Sequence, residues 1–193
     1  TLCDESRHSL EVLIGLDASG STSAIINMDG TTILDIEKAF SIILGRALRF
    51  ITPEVRAYAF NSQTSTNIYR AESFEAISSF KSSEGNRDGD FIRYLTSLLK
   101  KSSADSRFIF LLSDGKPCSI NYNGREAMED TLLAMREAVN VGIKLIYYNF
   151  DKNQSDYFDL LKKEATYARY FTDPAQILPT IPEMLKKITS SVI

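Results

Sequence analysis

The side chains best placed to do chemistry in this sequence are oxygen donors. Asp17-Ala18-Ser19-Gly20-Ser21 follows one apolar run, and Ser113-Asp114-Gly115 follows another. Asn86, Asp88 and Asp90 lie close together in a polar stretch between them. Ser19 and Ser21 are two residues apart, so in an extended turn their hydroxyls face the same way. Carboxylates, hydroxyls and water form an all-oxygen set. Such a set suits a hard cation that keeps much of its hydration, Mg²⁺ before Ca²⁺ or Mn²⁺. Two carboxylates held close repel each other, and a divalent ion removes that cost. Plainer roles compete for the same residues. Asp17, Ser19 and Ser21 can close a turn through side-chain-to-backbone hydrogen bonds, Asp114 can sit in a strand-end turn, and Asp88 or Asp90 can cap a helix.

Other chemistries find less support. The single histidine, His8, lies in a polar leader, so a Ser-His-Asp or Cys-His mechanism would have to be built on it. Two cysteines, Cys3 and Cys118, make neither a disulfide framework nor a zinc cluster. Lys plus Arg is 22 against 25 for Asp plus Glu, a net charge of −3. That balance argues against generic binding to nucleic acid or to an anionic membrane surface. No apolar run approaches the length of a bilayer span. A length of 193 residues with 44% hydrophobic content fits one globular domain.

Positioning such a set requires rigid elements ending at one rim. Apolar runs at 10–16, 55–60, 108–112 and 143–150 read as strands, the first of them buried on both faces. Shorter strands fit 65–70, polar enough for an edge, and 167–171. Helical periodicity fits 33–50, with Ile36, Phe40, Ile43, Ala47 and Phe50 as the buried stripe. It also fits a helix after a loop at 81–90, with Phe91, Leu95 and Leu98 inward, and one at 125–140, with Met128, Leu132, Met135 and Val139 inward. A brief helix is expected at 73–80 and another at 155–165. Asp173-Pro174 reads as the opening of a final helix. Strands alternating with helices mean crossover connections. The expected fold class is α/β: a doubly wound, mainly parallel open sheet flanked by helices on both faces, with one short antiparallel edge strand. Ligands of such sheets bind beyond the carboxyl ends of the strands, at the switch point. Asp17 and Asp114 share that rim if their strands are neighbours. Asp151 ends a strand on the same rim.

Taken together, these residues resemble a known family. Asp17-Ala18-Ser19-Gly20-Ser21 after an apolar strand, with Asp114 after a later one, is similar to the metal-ion-dependent adhesion site of von Willebrand factor A domains. A narrower resemblance runs through Asn86-Arg87-Asp88-Gly89, Ile92-Arg93, Leu112 to Pro117, Tyr122, Gly124-Arg125, Glu129-Asp130-Thr131 and Gly142-Ile143. It points to the A domains of nitric oxide reductase activation proteins, cobaltochelatase accessory subunits and the related rubisco-activase adaptor. It covers about residues 11–188. It implies a single A domain over 1–193, the C-terminal part of a longer cytoplasmic polypeptide, as the start at Thr1 without methionine also suggests.

The resemblance implies a binding module rather than an enzyme. Its partners would be a MoxR-type AAA+ ATPase and a target protein whose acidic side chain completes the coordination of Mg²⁺. Carried over, the ligands are Asp17, Ser19 and Ser21, with Asp114 through water. Asp88 joins them where many A domains have threonine, and Asn86 and Asp90 are further metal or outer-sphere candidates. Cys118-Ser119 replaces polar or acidic residues of relatives. Two alternatives remain at this stage. A haloacid-dehalogenase-like phosphatase also uses an aspartate after the first strand, but its second aspartate, two residues on, is Ser19 here. An integrin-type adhesive A domain is disfavoured by the narrower match.

Overall fold

The computed structural model describes residues 9–150, 156–173, 176–177 and 179–190. His8, Cys3, Asp151 and Pro174 lie outside the described residues. Strand β1, Leu10–Asp17, is buried along its whole length. Val12, Ile14 and Leu16 face one apolar layer and Leu13 faces the other, as expected of a central strand covered on both sides. The others are β2 (Val55–Ser62), β3 (Thr66–Arg70), β4 (Ser106–Ser113), β5 (Lys144–Phe150) and β6 (Tyr167–Phe171). Their order in the sheet is β3-β2-β1-β4-β5-β6. All neighbours run parallel except the short β2–β3 pair at the edge. This is the doubly wound α/β arrangement expected from the sequence. The strand order reverses between β1 and β4, so the switch point lies at their carboxyl ends.

Helix α1 (Ile33–Leu48) opens with a capping box. The Asp35 N–H donates to the Thr32 hydroxyl, and the Thr32 N–H returns to the Asp35 carboxylate. It shares one apolar layer with α5 (Thr180–Thr189). Helices α2 (Asp88–Leu99), α3 (Gly124–Asn140) and α4 (Asp156–Glu164) cover the opposite face. Among the described residues no helix is long and apolar enough to cross a membrane.

Several expectations need correction. The buried stripe of α1 starts at Ile36 and Phe40 but continues through Leu44 and Leu48; Ile43 is exposed and Phe50 is 93% exposed beyond the helix end. A period of 3.6 from Ile33 selects this face, and its polar members are Glu37 and Ser41. On α3 the deepest residues are Ala127, Thr131, Ala134, Met135 and Ala138, whereas Met128, Leu132 and Val139 are only partly buried. Small side chains let α3 approach α2 closely. A Cβ on Gly89 of α2 would stand 2.0 Å from Asp130 Oδ2 of α3. Helix α2 begins at Asp88, so the loop expected over 81–90 is shorter and Asp88 and Asp90 occupy the first helical turn. The brief helix expected at 73–80 is a 3-10 turn, Glu75–Ser79. The last helix starts at Thr180, seven residues after Asp173, so Asp173 does not cap it.

The β1–α2 contact ties core to rim. A Cβ on Gly15 would lie 2.6 Å from a ring carbon of Phe91, and Phe91 stacks on Phe60 at 4.1 Å. Gly15→Val is expected to lower unfolding stability by about 1–3 kcal/mol through overpacking against α2, read as a shift of the urea midpoint at unchanged slope.

Candidate metal centre

Three loops meet at the switch point. Leu16 lies beside Leu112 in the β1–β4 ladder. Asp17 and Ser113, the next residues, therefore emerge together, and Ser113 Oγ donates to Asp17 Oδ2 at 2.9 Å. The Ser113 hydroxyl, which reads from sequence as an ordinary strand residue, thus belongs to the site. Beyond Asp17 the chain turns at once: the Ser19 N–H donates to Asp17 Oδ1 at 2.8 Å, and the Ser19 and Ser21 hydroxyls stand 3.0 Å apart. Ser19 is buried and Ser21 exposed. The turn residues compete for the same backbone as expected, and still leave both hydroxyls together.

The third loop is fastened on both sides. The Gly20 N–H donates to the Glu84 carbonyl at 2.8 Å, the Ser83 N–H to the Ala18 carbonyl at 2.9 Å, and the Asn86 N–H to the Cys118 carbonyl at 2.8 Å. The Asn86 side chain then bridges the carboxylates. Its Nδ2 donates to Asp17 Oδ2 at 2.9 Å and to Asp88 Oδ1 at 3.0 Å, while its carbonyl accepts the Cys118 N–H at 2.8 Å. That last bond fixes which end of the amide faces the pocket. Asn86 therefore presents nitrogen, not oxygen, to the site and positions its neighbours. Asp90 points elsewhere: its carboxylate accepts from Arg87 Nε at 2.9 Å and from Thr66 Oγ1 at 3.2 Å.

Asp17, Asp88 and Asp114 are all buried. Asp17 Oδ2 already accepts two hydrogen bonds, which uses its lone pairs, and Oδ1 accepts one from Ser19. Asp114 Oδ1 accepts the Lys116 N–H at 3.1 Å. Asp88 Oδ2 is buried without a hydrogen-bond partner among the described residues, although the amino end of α2 favours its negative charge.

A residue that the sequence reading missed lies beneath them. Glu37 of α1 is fully buried, and among the described residues neither carboxylate oxygen makes a hydrogen bond of ordinary geometry. The signal was its position four residues after Ile33 on the buried stripe. Burial, then the charges of Asp17, Asp114 and Asp88, hold its carboxyl well above the usual range. Burial first and Asp114 second push the Asp17 carboxyl up to about 7. Burial, then Asp17 and Asp114, push Asp88 well above its ordinary value.

This donor chemistry fits a hard divalent cation. Mutually repelling carboxylates, an orphaned Asp88 oxygen and paired hydroxyls are what such an ion relieves. Among the described residues no three acidic, histidine or cysteine side chains converge tightly enough to enclose an ion alone. Hydroxyls, water or an incoming group would supply the rest of the coordination. Around this centre, the Arg87 guanidinium lies 4.5 Å from the Tyr122 ring centroid. Tyr122 Oη donates to Asp130 at 2.7 Å, and Asp130 pairs with Arg93 at 2.8 Å. These contacts join residues of the narrower sequence pattern into one brace between α2 and α3.

No established family profile matches the chain. An uncharacterised protein of Pseudomonas aeruginosa is 28% identical over 167 residues, covering 80% of this chain and 27% of that protein. Protein NorD of Stutzerimonas stutzeri is 26% identical over 79% of this chain and 27% of its own length. Protein NorD of Brucella abortus is 25% identical over 83% and 27%. The chain thus spans about a quarter of the length of these relatives. Among solved structures, the vWF domain of the type V pili tip protein Mfa5 from Porphyromonas gingivalis superposes with a TM-score of 0.71 at 11% identity, covering 96% of both chains. The pilus adhesin SpaC from Lactobacillus rhamnosus GG gives 0.70 at 12% identity, over 95% of this chain and 31% of that one. Fold and sequence together make this chain a von Willebrand factor A domain. Within that class it is similar to the NorD proteins, with which it aligns over about four-fifths of its length.

The raised carboxyl pKa values set a sign for stability. The folded state holds protons on Asp17, Asp88 and Glu37 more tightly than the unfolded chain does. Their contribution is therefore fully present below the ordinary carboxylate range; that of Asp17 is lost as pH rises through about 7, and those of Asp88 and Glu37 as pH rises through their own raised values. Without divalent cations the melting temperature should fall between pH 5 and pH 8, and 5 mM Mg²⁺ should restore it at pH 8 while changing little at pH 5. Glu37→Gln should flatten the metal-free profile. A metal-free melting temperature that rises across that interval contradicts the electrostatic account.

Proposed function

We propose that this A domain is a non-catalytic, divalent-ion-dependent protein-binding module. Ser19 and Ser21 would hold Mg²⁺ through their hydroxyls, and Ca²⁺ or Mn²⁺ could substitute. Asp114, Asp88 and Oδ1 of Asp17 would neutralise it directly or through water. Asn86 and Ser113 hold the carboxylates in place. When bound, the ion supplies a positive centre for an acidic side chain of a partner. The observation that carries this reading is the buried trio Asp17, Asp88 and Asp114 beside two hydroxyls 3.0 Å apart, with Ser21 on the solvent side. Burial and mutual repulsion leave the trio short of positive charge, and the exposed hydroxyl marks the side from which a partner would approach.

The NorD likeness supports a more specific setting: a cytoplasmic adaptor that works with a MoxR-type AAA+ ATPase on a target metalloenzyme. In that setting the domain grips and the ATPase supplies the work.

Calorimetric titration of the purified protein with Mg²⁺ should show one site. Asp114→Ala and Ser19→Ala should each weaken it by about tenfold or more, since each removes a charge-assisted or direct oxygen contact worth roughly 1.4 kcal/mol or more. Retention of a MoxR-type ATPase or of its target should require the ion. Equal retention in EDTA would overturn the ion-dependent reading.

A further inference from the structure

Where the β2–β3 edge of the sheet meets the chain that follows the 3-10 turn Glu75–Ser79 lies a pocket of about 290 Å³. We propose that this pocket is a binding site for a small organic carboxylate with an apolar body the size of an aromatic ring. The inference does not rest on the ion-binding reading, because no oxygen donor of the candidate metal centre lines the pocket.

The space exists because part of its lining is small. Ala59 stands opposite Tyr69 in the β2–β3 ladder and Asn61 opposite Asn67, so these four side chains share one face of the sheet edge. Ala18 and Ala59 contribute only methyl groups, and Phe80 and the Tyr69 ring supply larger apolar walls. A void of roughly 150 Å³ suffices for benzene, so this pocket has room for an aromatic ring and a short arm. None of the side chains that line it is acidic.

The polar groups of the lining are left as donors. Asn61 is buried and its carbonyl oxygen is already taken: Asn67 Nδ2 donates to it at 3.0 Å and Tyr69 Oη at 3.5 Å. The Asn61 amide nitrogen donates to Ser83 Oγ at 2.9 Å, so the Ser83 proton stays available for an acceptor. The Tyr69 bond is long for a hydroxyl donor and is readily exchanged for a bond to an anion. Ser79 spends its own proton on the Ala76 carbonyl at 2.7 Å. Lys81 is exposed where it lines the pocket, and among the described residues its ammonium forms no ion pair. One cation and two hydroxyl protons therefore border a largely apolar space. A single positive charge suits a monoanion. A carboxylate accepts from these donors while its apolar body covers Phe80 and Tyr69. Inorganic phosphate would leave the apolar walls bare and part of its charge unmatched.

The test uses the full isotope-labelled chain in EDTA, so that the outcome is independent of the ion, with phenylacetate as the probe. Two-dimensional NMR should show saturable shifts of the Asn61 side-chain amide and of the Lys81 and Ser83 backbone N–H signals. Their midpoint should fall at about millimolar concentration for a ligand of this size. Phenylacetamide keeps the shape and loses the charge, and acetate keeps the charge and loses the ring. Each should bind about fivefold more weakly or worse. Lys81→Gln should weaken phenylacetate by a similar factor and Lys81→Arg should retain it, with unchanged melting temperatures verifying that both variants fold. The proposal is overturned by the absence of saturable shifts, by shifts confined to other residues, or by equal binding of phenylacetate and phenylacetamide. Indifference to Lys81→Gln, or inorganic phosphate binding as tightly as phenylacetate, overturns it equally.

Discussion

The arrangement depends on one electrostatic constraint: several carboxyl groups are confined in a dry space where strand order reverses. Asp17 sits at the end of the central strand, Asp88 at the start of α2, Asp114 after β4, and Glu37 on α1 beneath them. Water solvates none of them well; Asp114 raises the proton affinity of Asp17, Asp17 and Asp114 raise that of Asp88, and all three raise that of Glu37. Such a cluster is tolerable when it is protonated or when a cation neutralises it. The surrounding structure is built to hold the groups together regardless. Asn86 and Ser113 spend their donors on Asp17 and Asp88 rather than on the backbone.

The sheet makes this confinement possible. Because β1 is covered on both faces, its end cannot drift toward solvent, and its parallel pairing with β4 fixes Asp17 next to Ser113. The small-residue face of α3 lets α2 settle close, and the Arg93–Asp130–Tyr122–Arg87 brace secures that packing. A stable rim thus grows out of ordinary core packing, with the polar network added only at the carboxyl ends.

Much of this was legible in the sequence. Apolar runs ending in Asp17 and Ser113-Asp114 marked the central strands, and alternation with helices gave the crossover topology. Asp17, Ser19 and Ser21 lie at the end of β1, Asp88 opens α2 and Asp114 follows β4, all at the switch point. What escaped had physical causes. Asn86 looks like an oxygen donor until the Cys118 N–H claims its carbonyl, a contact between segments 32 residues apart. Asp90 is drawn away by Arg87 and Thr66, the latter on the edge strand. Glu37 was hidden because a charged residue on a helix is ordinarily solvated, and only the phase of α1 reveals that this one is not. The α3 stripe was misplaced because large apolar residues suggest depth, whereas close helix packing reserves the deepest positions for alanine.

The bridge between Asn86 and Cys118 has a mechanical corollary. One side chain links the end of β1, the start of α2 and the loop after β4, so none of the three tips slides without dragging the other two. Whatever seats itself on this rim pulls on a single stiff unit, and force applied there is passed into the central strands rather than dissipated in loose segments.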